Sequence, residues 1–221
     1  MIVLFKLENE NLGYDGDVVL RDISVSISEG ERVALVGESG AGKSTLLAVL
    51  QERYHDKAAL IPQDLGLVRT LSVFHNVYMG GLARYGTAYN LLNLVWPQKR
   101  EIAEIKPIVE RLGLGKKLFD RTGELSGGQR QRAAVCRALF QGGDAVLGDE
   151  PVSAVDAYQS RMVLNAITEK FETVILAMHD VDLALEFSTR IIGIKRGRIA
   201  LDEPTDGLKR SDLDFVYKDG T

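Results

Sequence analysis

The chain has almost no cysteine and no long hydrophobic segment. Among its 221 residues Cys136 is the single cysteine, so no intrachain disulfide forms, and this usage is typical of a reducing compartment. No apolar run approaches the ~20 residues that span a bilayer. Residues 1–5 also lack the basic start of a signal peptide. These absences predict a protein of the cytoplasm that reaches a membrane only through a partner.

The composition lacks the excess of positive charge that nucleic-acid binding requires. The net charge is −4, with 45% hydrophobic and 26% charged residues, which is ordinary for a soluble globular protein. A negative chain is unsuited to wrapping nucleic acid. We therefore expect no nucleic-acid partner.

Short apolar runs alternate with helical stretches along most of the chain, as in a parallel sheet with crossover helices. Residues 23–28 differ, because they alternate with period two like a half-buried antiparallel strand. Between about residues 71 and 139 helical signals dominate, and Pro107 is expected to kink or break a helix at residues 101–112. The apolar runs are residues 32–36, 58–61, 145–148 and 173–178, and a hairpin is predicted at residues 191–201.

The most informative segment carries the pattern G-x-x-x-x-G-K-[ST]. It lies between the predicted strand at residues 32–36 and a predicted helix at residues 44–50. Backbone N–H groups of such a loop surround a triphosphate at the start of a helix. Lys43 would reach the β- and γ-phosphates, and the Ser44 hydroxyl would hold Mg²⁺. The residues of this predicted nucleotide site are Gly37, Glu38, Ser39, Gly40, Ala41, Gly42, Lys43, Ser44 and Thr45.

Two adjacent carboxylates follow the apolar run at residues 145–148. Asp149 at the strand end would bind Mg²⁺, and Glu150 would polarise a water for attack on the γ-phosphate. Acidic residues also begin ordinary turns, so this pair is only moderately specific. An Asn-Lys-x-Asp guanine-recognition motif is missing from the sequence, which argues against a GTPase.

A second glycine-rich segment has the sequence Leu-Ser-Gly-Gly-Gln at residues 125–129. Ser126 and Gln129 have the spacing of a capping box. The glycines between them allow close backbone approach, and the helix would direct its positive end at a phosphate. On these residues alone, an ordinary helix N-cap is the alternative.

Together with the loop at residues 37–44 and the Asp149-Glu150 pair, this segment resembles the ATP-binding cassette (ABC) family, in the family's order and over essentially the whole chain. The resemblance implies an ATPase that binds ATP and Mg²⁺, as a head-to-tail dimer enclosing two ATP molecules. Ser126, Gly127, Gly128 and Gln129 would complete the ATP site of the opposite subunit.

The resemblance also assigns roles to four further residues. Tyr14 matches the aromatic residue that stacks on adenine, and Gln63 matches the glutamine that contacts Mg²⁺ and the attacking water. Asp156 lies in the loop that communicates across the dimer, and His179 matches the histidine that reaches the γ-phosphate. The implied catalytic residues are Glu150, His179 and Gln63, and the implied metal ligands are Ser44, Gln63 and Asp149.

The expected fold is α/β, a P-loop NTPase (RecA-like) parallel-sheet core with a reduced antiparallel β subdomain and an inserted helical subdomain. The β subdomain is expected to be reduced because only residues 46–60 separate the phosphate loop from the segment of Gln63, where importer subunits usually carry two further strands. The expected boundaries place residues 1–70 and 140–221 in the nucleotide-binding lobe and residues 71–139 in the helical lobe.

The predicted function is ATP hydrolysis for a transporter whose membrane subunits are separate chains. Residues 71–84 look most like phosphonate importer ATPases, and import or export of another solute stays open. The expected partners are membrane permease subunits, a second copy or a similar ATPase subunit when ATP is present, and an extracytoplasmic solute-binding protein. The expected location is the cytoplasmic face of the membrane. The alternative is an ABC ATPase of DNA repair or translation, which the missing coiled coil and second cassette disfavour.

Overall fold

The structure, a computed structural model, describes residues 2–14 and 16–217 and contains eight strands and eight α-helices within them. The strands are β1 Val3–Tyr14, β2 Asp17–Ser28, β3 Arg32–Val36, β4 Ala58–Ile61, β5 Ala145–Asp149, β6 Thr173–Ala177, β7 Arg190–Lys195 and β8 Arg198–Pro204. The helices are α1 Lys43–Arg53, α2 Val73–Tyr78, α3 Thr87–Val95, α4 Lys99–Arg111, α5 Gly127–Gln141, α6 Ala157–Lys170, α7 Val181–Phe187 and α8 Arg210–Tyr217. No helix in the described ranges is both long and apolar enough to cross a membrane.

Two compact units divide the chain. The first contains residues 1–60, 143–151 and 171–221, and the second contains residues 61–142 and 152–170. The second unit therefore includes α6 in addition to the helices between β4 and β5. The lobe boundaries expected at residues 70 and 140 stay a prediction.

A six-stranded sheet in the order β4-β5-β6-β3-β7-β8 forms the frame of the first unit. Strand β6 pairs in parallel with β5 and with β3, and β3 pairs in parallel with β7. Strand β8 closes the edge as an antiparallel hairpin with β7, and the turn uses Gly197 with a φ of 74°. The parallel core and this hairpin confirm the strands predicted from apolar runs.

The antiparallel part of the first unit is a two-stranded sheet, β1 with β2. Sequence patterning indicated only the second half of β2 and missed β1. Helix α1 holds β1 from its C-terminal end, because Arg53 makes a two-point hydrogen bond to Glu10 at 2.7 and 2.5 Å. The Tyr54 hydroxyl also bonds the backbone of Lys6. Side chains of β1, β2 and α1 share one hydrophobic core with the inner strands of the sheet.

Helices dominate the second unit. Helix α5 packs against α2, α4 and α6 and presents a row of small, fully buried residues, including Ala133, Ala134 and Ala138. Small side chains let the neighbouring helices approach closely. Helix α4 continues through Pro107, so of the kink or break expected there, a break does not occur.

Candidate functional site

The phosphate loop connects β3 to α1 through a backbone that only glycine adopts freely. Gly37 has a φ of 147° and Gly42 a φ of 110°, both in the range that L side chains rarely enter. A Cβ on Gly37 would lie 2.2 Å from the carbonyl oxygen of Ile194, and one on Gly42 would lie 2.4 Å from the Leu20 side chain. The glycines of the sequence pattern are therefore required by the fold of the loop.

Lys43 begins α1 and folds back along the loop. Its ammonium donates hydrogen bonds to the carbonyl oxygens of Gly37 (2.7 Å) and Glu38 (2.9 Å), and only 5% of the residue is exposed. Burial lowers the pKa of Lys43, while the charges of Glu150 and Asp149 oppose that shift. A cation thus lies where the loop would hold a phosphate.

The ends of three neighbouring strands bring the acidic residues to the same edge of the sheet. Asp149 in β5 and Leu35 in β3 both stand opposite Ala177 of β6. Because parallel strands end at one edge, Asp149 lies level with the start of the phosphate loop.

Glu150 and His179 form a direct pair at this edge. His179 Nε2 lies 2.5 Å from Glu150 Oε1, and the Glu150 backbone N–H donates to the Ala177 carbonyl at 3.1 Å. Glu150 has a φ of 52°, which is uncommon for a residue with a side chain and is often found at functional sites. The first unit therefore gathers the phosphate loop, Asp149, Glu150 and His179.

Oxygen donors near the phosphate loop suit a magnesium ion. Mg²⁺ in nucleotide sites takes one or two carboxylates together with phosphate oxygens and waters. The exposed hydroxyl-bearing residue Ser44 in the first turn of α1 and the half-buried Asp149 match that donor set. These two residues would hold Mg²⁺ beside the phosphates, where the ion would neutralise developing negative charge.

The second glycine-rich segment forms the start of α5 in the second unit. Ser126 is the N-cap, and a complete capping box joins it to Gln129 in both directions. Ser126 and Gly127 are exposed, and nothing lies within 4 Å of a Cβ placed on Gly127. The predicted helix start is confirmed, and its surface is open.

The same segment packs on the loop that carries Asp156. Gln131 donates to the Ser153 hydroxyl at 3.2 Å and accepts from the Ala154 N–H at 2.9 Å. A Cβ on Gly128 would lie 2.8 Å from the Ala154 carbonyl. Asp156 itself is exposed and caps α6 through the Gln159 N–H. Sequence reasoning missed Gln131, because a second glutamine beside Gln129 reads as an ordinary helix surface residue.

Gln63 is exposed in the turn after β4. The next residues are held by α5, since Arg137 donates to the carbonyls of Leu65 at 2.8 Å and Gly66 at 2.6 Å. Burial lowers the pKa of Arg137, and the charge of Asp64 opposes that change. Tyr14 lies at the end of β1, with 51% of the residue exposed.

An apolar groove opens in the second unit. It has a volume of about 350 Å³ and is lined mainly by α2, α3 and the 3-10 turn between them, with Leu82, Leu91 and Leu94 among its residues. The apolar density of residues 64–79 predicts that some of these residues dock on the permease: Leu65, Leu67, Val68, Leu71, Val73 and Phe74. Leu71 lines this groove, whereas Val73 and Phe74 are fully buried in the core. Helical spacing alone did not separate those core residues from the exposed leucines of α3.

Comparison with known proteins identifies the family. The model of the family described as ABC transporter matches residues 20–59 and 51–153, which cover the phosphate loop, the segment at residues 125–129 and the Asp149-Glu150 pair. The chain belongs to the ABC transporter family. Membership supports ATP hydrolysis in the service of transport over the alternative of DNA repair or translation.

Similar ABC proteins carry the name of phosphonate importers. The phosphonates import ATP-binding protein PhnC of Lactobacillus delbrueckii subsp. bulgaricus is 35% identical, and the match covers 98% of this chain and 96% of that protein. PhnC 1 of Pseudomonas syringae pv. syringae is 36% identical over 92% and 87% of the two chains.

Solved structures of ABC cassettes share the fold. A dimeric cassette in a post-hydrolysis state, bound to ADP and phosphate, superposes with a TM-score of 0.76 at 24% identity, over 92% of this chain and 99% of that one. An ATP-binding subunit of an ABC transporter gives a TM-score of 0.78 at 20% identity, over 97% and 98%. The α/β fold with a P-loop NTPase core is thereby confirmed.

Proposed function

We propose that this chain is the ATP-hydrolysing subunit of an importer for phosphonates or closely related small anions. The proposal of ATPase activity rests on one observation: one edge of the sheet brings together Lys43, Asp149, Glu150 and His179. The solute class rests on the PhnC names of proteins that match nearly the whole chain.

The roles follow from the chemistry of each group. Glu150 accepts the proton of the attacking water, and Lys43 neutralises the β- and γ-phosphates. His179 must leave its bond to Glu150 to reach the γ-phosphate, which frees that carboxylate to act as the base. Ser44 and Asp149 would hold Mg²⁺, which would neutralise negative charge on the phosphates. By the family resemblance, Gln63 would contact that ion and the attacking water.

A second cassette completes the site. The start of α5 is formed by Ser126, Gly127, Gly128 and Gln129, of which Ser126 and Gly127 are exposed. The N–H groups of this helix start suit the γ-phosphate bound by another copy. Tyr14, half exposed, stacks on adenine. The active form is thus a head-to-tail dimer, of two copies or of this chain with a similar subunit, that closes around two ATP molecules.

The partners extend across the membrane. The apolar groove of the second unit receives a helix of a permease subunit, so the chain works at the cytoplasmic face, and an extracytoplasmic solute-binding protein delivers the solute. ATP-driven closure shifts the population of dimers and moves the docked permease helix.

One experiment separates the two parts of this function. The tagged chain is purified from membranes of its own source together with the permease that it retains, and is placed in liposomes with the solute-binding protein. We expect the complex to hydrolyse ATP at a basal rate, and Lys43→Ala should abolish this hydrolysis. A phosphonate should raise the rate, whereas sulfate should not. Basal hydrolysis without phosphonate stimulation contradicts the solute class alone. A wild-type chain without hydrolysis contradicts the whole proposal.

A further inference from the structure

Helix α3 of the second unit turns its apolar side outward. Four large apolar residues of this helix are between 47% and 83% exposed, namely Leu91, Leu92, Leu94 and Val95. The inward side carries Asn93, which is fully buried and accepts a hydrogen bond from the Gln98 N–H at 2.9 Å. A surface helix normally has the opposite arrangement, with apolar residues facing the core. The exposed apolar side of α3 therefore indicates a contact outside the chain.

Hydrogen bonds hold the inward side of α3 in place. The Tyr89 hydroxyl donates to Glu101, a fully buried carboxylate, at 3.1 Å. Asn90 accepts a hydrogen bond from the Tyr78 hydroxyl at 2.8 Å and donates one to the Leu82 carbonyl at 3.0 Å. Turning the apolar side inward would break these bonds and leave buried polar groups without partners, which is costly. The outward direction of the apolar side is thus built into the packing.

Trp96 continues the apolar side beyond the last turn of α3. Its N–H donates to the Leu92 carbonyl at 2.7 Å, and its carbonyl accepts from the Gln98 side chain at 2.6 Å. The backbone of Trp96 is held on both sides, yet 73% of the residue is exposed. A tryptophan with a fixed backbone and an exposed ring suits the boundary between water and lipid, where tryptophan is enriched.

Positive charge borders this apolar side. From residue 80 to residue 104, the exposed charged residues are Arg84, Lys99, Arg100 and Glu104. The Glu104 carboxylate lies 3.6 Å from Arg100 and 3.9 Å from Arg84, so three cations face one exposed carboxylate. This local excess contrasts with the net charge of −4 of the whole chain. Exposed apolar side chains, a tryptophan and adjacent cations are together complementary to a surface of anionic lipid.

We propose that the α3 surface, formed by Leu92, Val95, Trp96, Lys99 and Arg100, binds the anionic phospholipid surface of the membrane directly. Its apolar members enter the boundary between headgroups and acyl chains, and its two cations pair with lipid phosphates. This contact goes beyond the proposed function, which reaches the membrane only through a permease helix in the neighbouring groove. Two attachments on one unit reinforce each other through a high effective concentration, so the lipid contact favours docking on the permease.

The test uses the single tryptophan of the chain, because its fluorescence reports on Trp96 alone. The full chain, without ATP, is mixed at millimolar lipid with vesicles of phosphatidylcholine that contain about one-third phosphatidylglycerol. We expect the emission of Trp96 to shift to shorter wavelength and to be quenched by lipids with brominated acyl chains. Vesicles of phosphatidylcholine alone should give a smaller shift. High salt should weaken binding, because it screens the attraction between cations and anionic lipid.

Two variants that keep Trp96 separate the apolar and the charged contributions. Val95→Ser should lower the affinity for anionic vesicles about tenfold. Its matched control is Tyr158→Ser, at a similarly exposed position of the same unit (81% against 83%), which should leave the affinity unchanged. Lys99→Gln should lower the affinity about fivefold. Its control is Lys209→Gln in the first unit, which makes the same change in net charge and should leave the affinity unchanged.

Three outcomes would overturn the inference. One is the absence of a shift and of quenching with anionic vesicles. Another is cosedimentation of the chain with vesicles that contain the permease but not with protein-free vesicles of the same lipids, because the α3 surface would then bind protein. The third is an equal loss of affinity in the control variants, because binding would then not depend on this surface. A wild-type chain without ATP hydrolysis contradicts the proposed function and leaves vesicle binding untouched, so the two failures are distinguishable.

Discussion

Glu150 combines a left-handed backbone with a direct bond to His179, and the proposed function makes it the general base of hydrolysis. Glu150→Gln preserves the shape of the side chain and removes the carboxylate that we propose accepts the proton of water. Turnover should fall by ~10²-fold or more, which is the usual contribution of general base catalysis, while ATP binding is retained. Single-turnover hydrolysis measures the rate, and nucleotide titration on the same preparation measures ATP binding. Hydrolysis near the wild-type rate would contradict the assignment of Glu150 as the general base.

The burial of Cys136 makes the stability of the folded state depend on pH, because it changes the pKa of the thiol. The residue is fully buried, and burial raises the pKa of its thiol well above the usual value, against the charge of Arg132. The folded thiol therefore keeps its proton where an unfolded thiol, with a pKa of about 8.5, has lost it. The contribution of Cys136 to stability must fall as the pH rises above that value.

Two measurements check this prediction. A thiol reagent at pH 8 should label the native protein only after denaturant is added. Between pH 8 and pH 10, the free energy of unfolding of the wild-type chain should decrease more than that of Cys136→Ala. Rapid labelling of the native protein would contradict the burial of Cys136.

At the scale of elements, the contact between the start of α5 and the loop at residues 153–156 depends on Gly128. Gly128→Ala would force a Cβ to within 2.8 Å of the Ala154 carbonyl and should destabilise the fold by about 1–3 kcal/mol through overpacking. Gly127→Ala is the matched control, because open space surrounds that position and alanine favours a helix over glycine. Denaturant unfolding of both variants measures the difference, and equal stabilities would refute a clash specific to Gly128.

The elements also show what the sequence could predict. The inner strands were read correctly because a strand buried on both faces must be a short apolar run, and the Ser126 cap was read correctly because its pattern is local. Strand β1 was missed because its register slips repeatedly against β2, which breaks the period-two pattern. Gln131 was missed because its partner Ser153 lies 22 residues away in the chain, beyond any local pattern. The roles of the site residues remain predictions until variants are measured.

At the scale of the whole molecule, the proposed dimer makes Ser126 and Lys43 act on one ATP from different chains. A mixture of Ser126→Ala and Lys43→Ala chains rebuilds one intact composite site in each mixed dimer, provided that dimers exchange. ATP hydrolysis should rise in the mixture above the sum of the two separate preparations. Absence of recovery, with mixed dimers demonstrated by differently tagged chains, would show that Ser126 does not act across the dimer.

Helix α1 makes a contact of interest at each end, because its last residue, Arg53, is hydrogen-bonded to Glu10 of β1. Its first turn carries Lys43 at the phosphate loop. A helix of 11 residues joins the phosphate loop to the β1–β2 sheet over ~16 Å. Amide hydrogen exchange in β1 should therefore slow when ATP binds. Arg53→Met should reduce that protection of β1, while the exchange of the phosphate loop still slows. Hydrogen exchange in the β1–β2 sheet would then report whether nucleotide is bound at the distant phosphate loop.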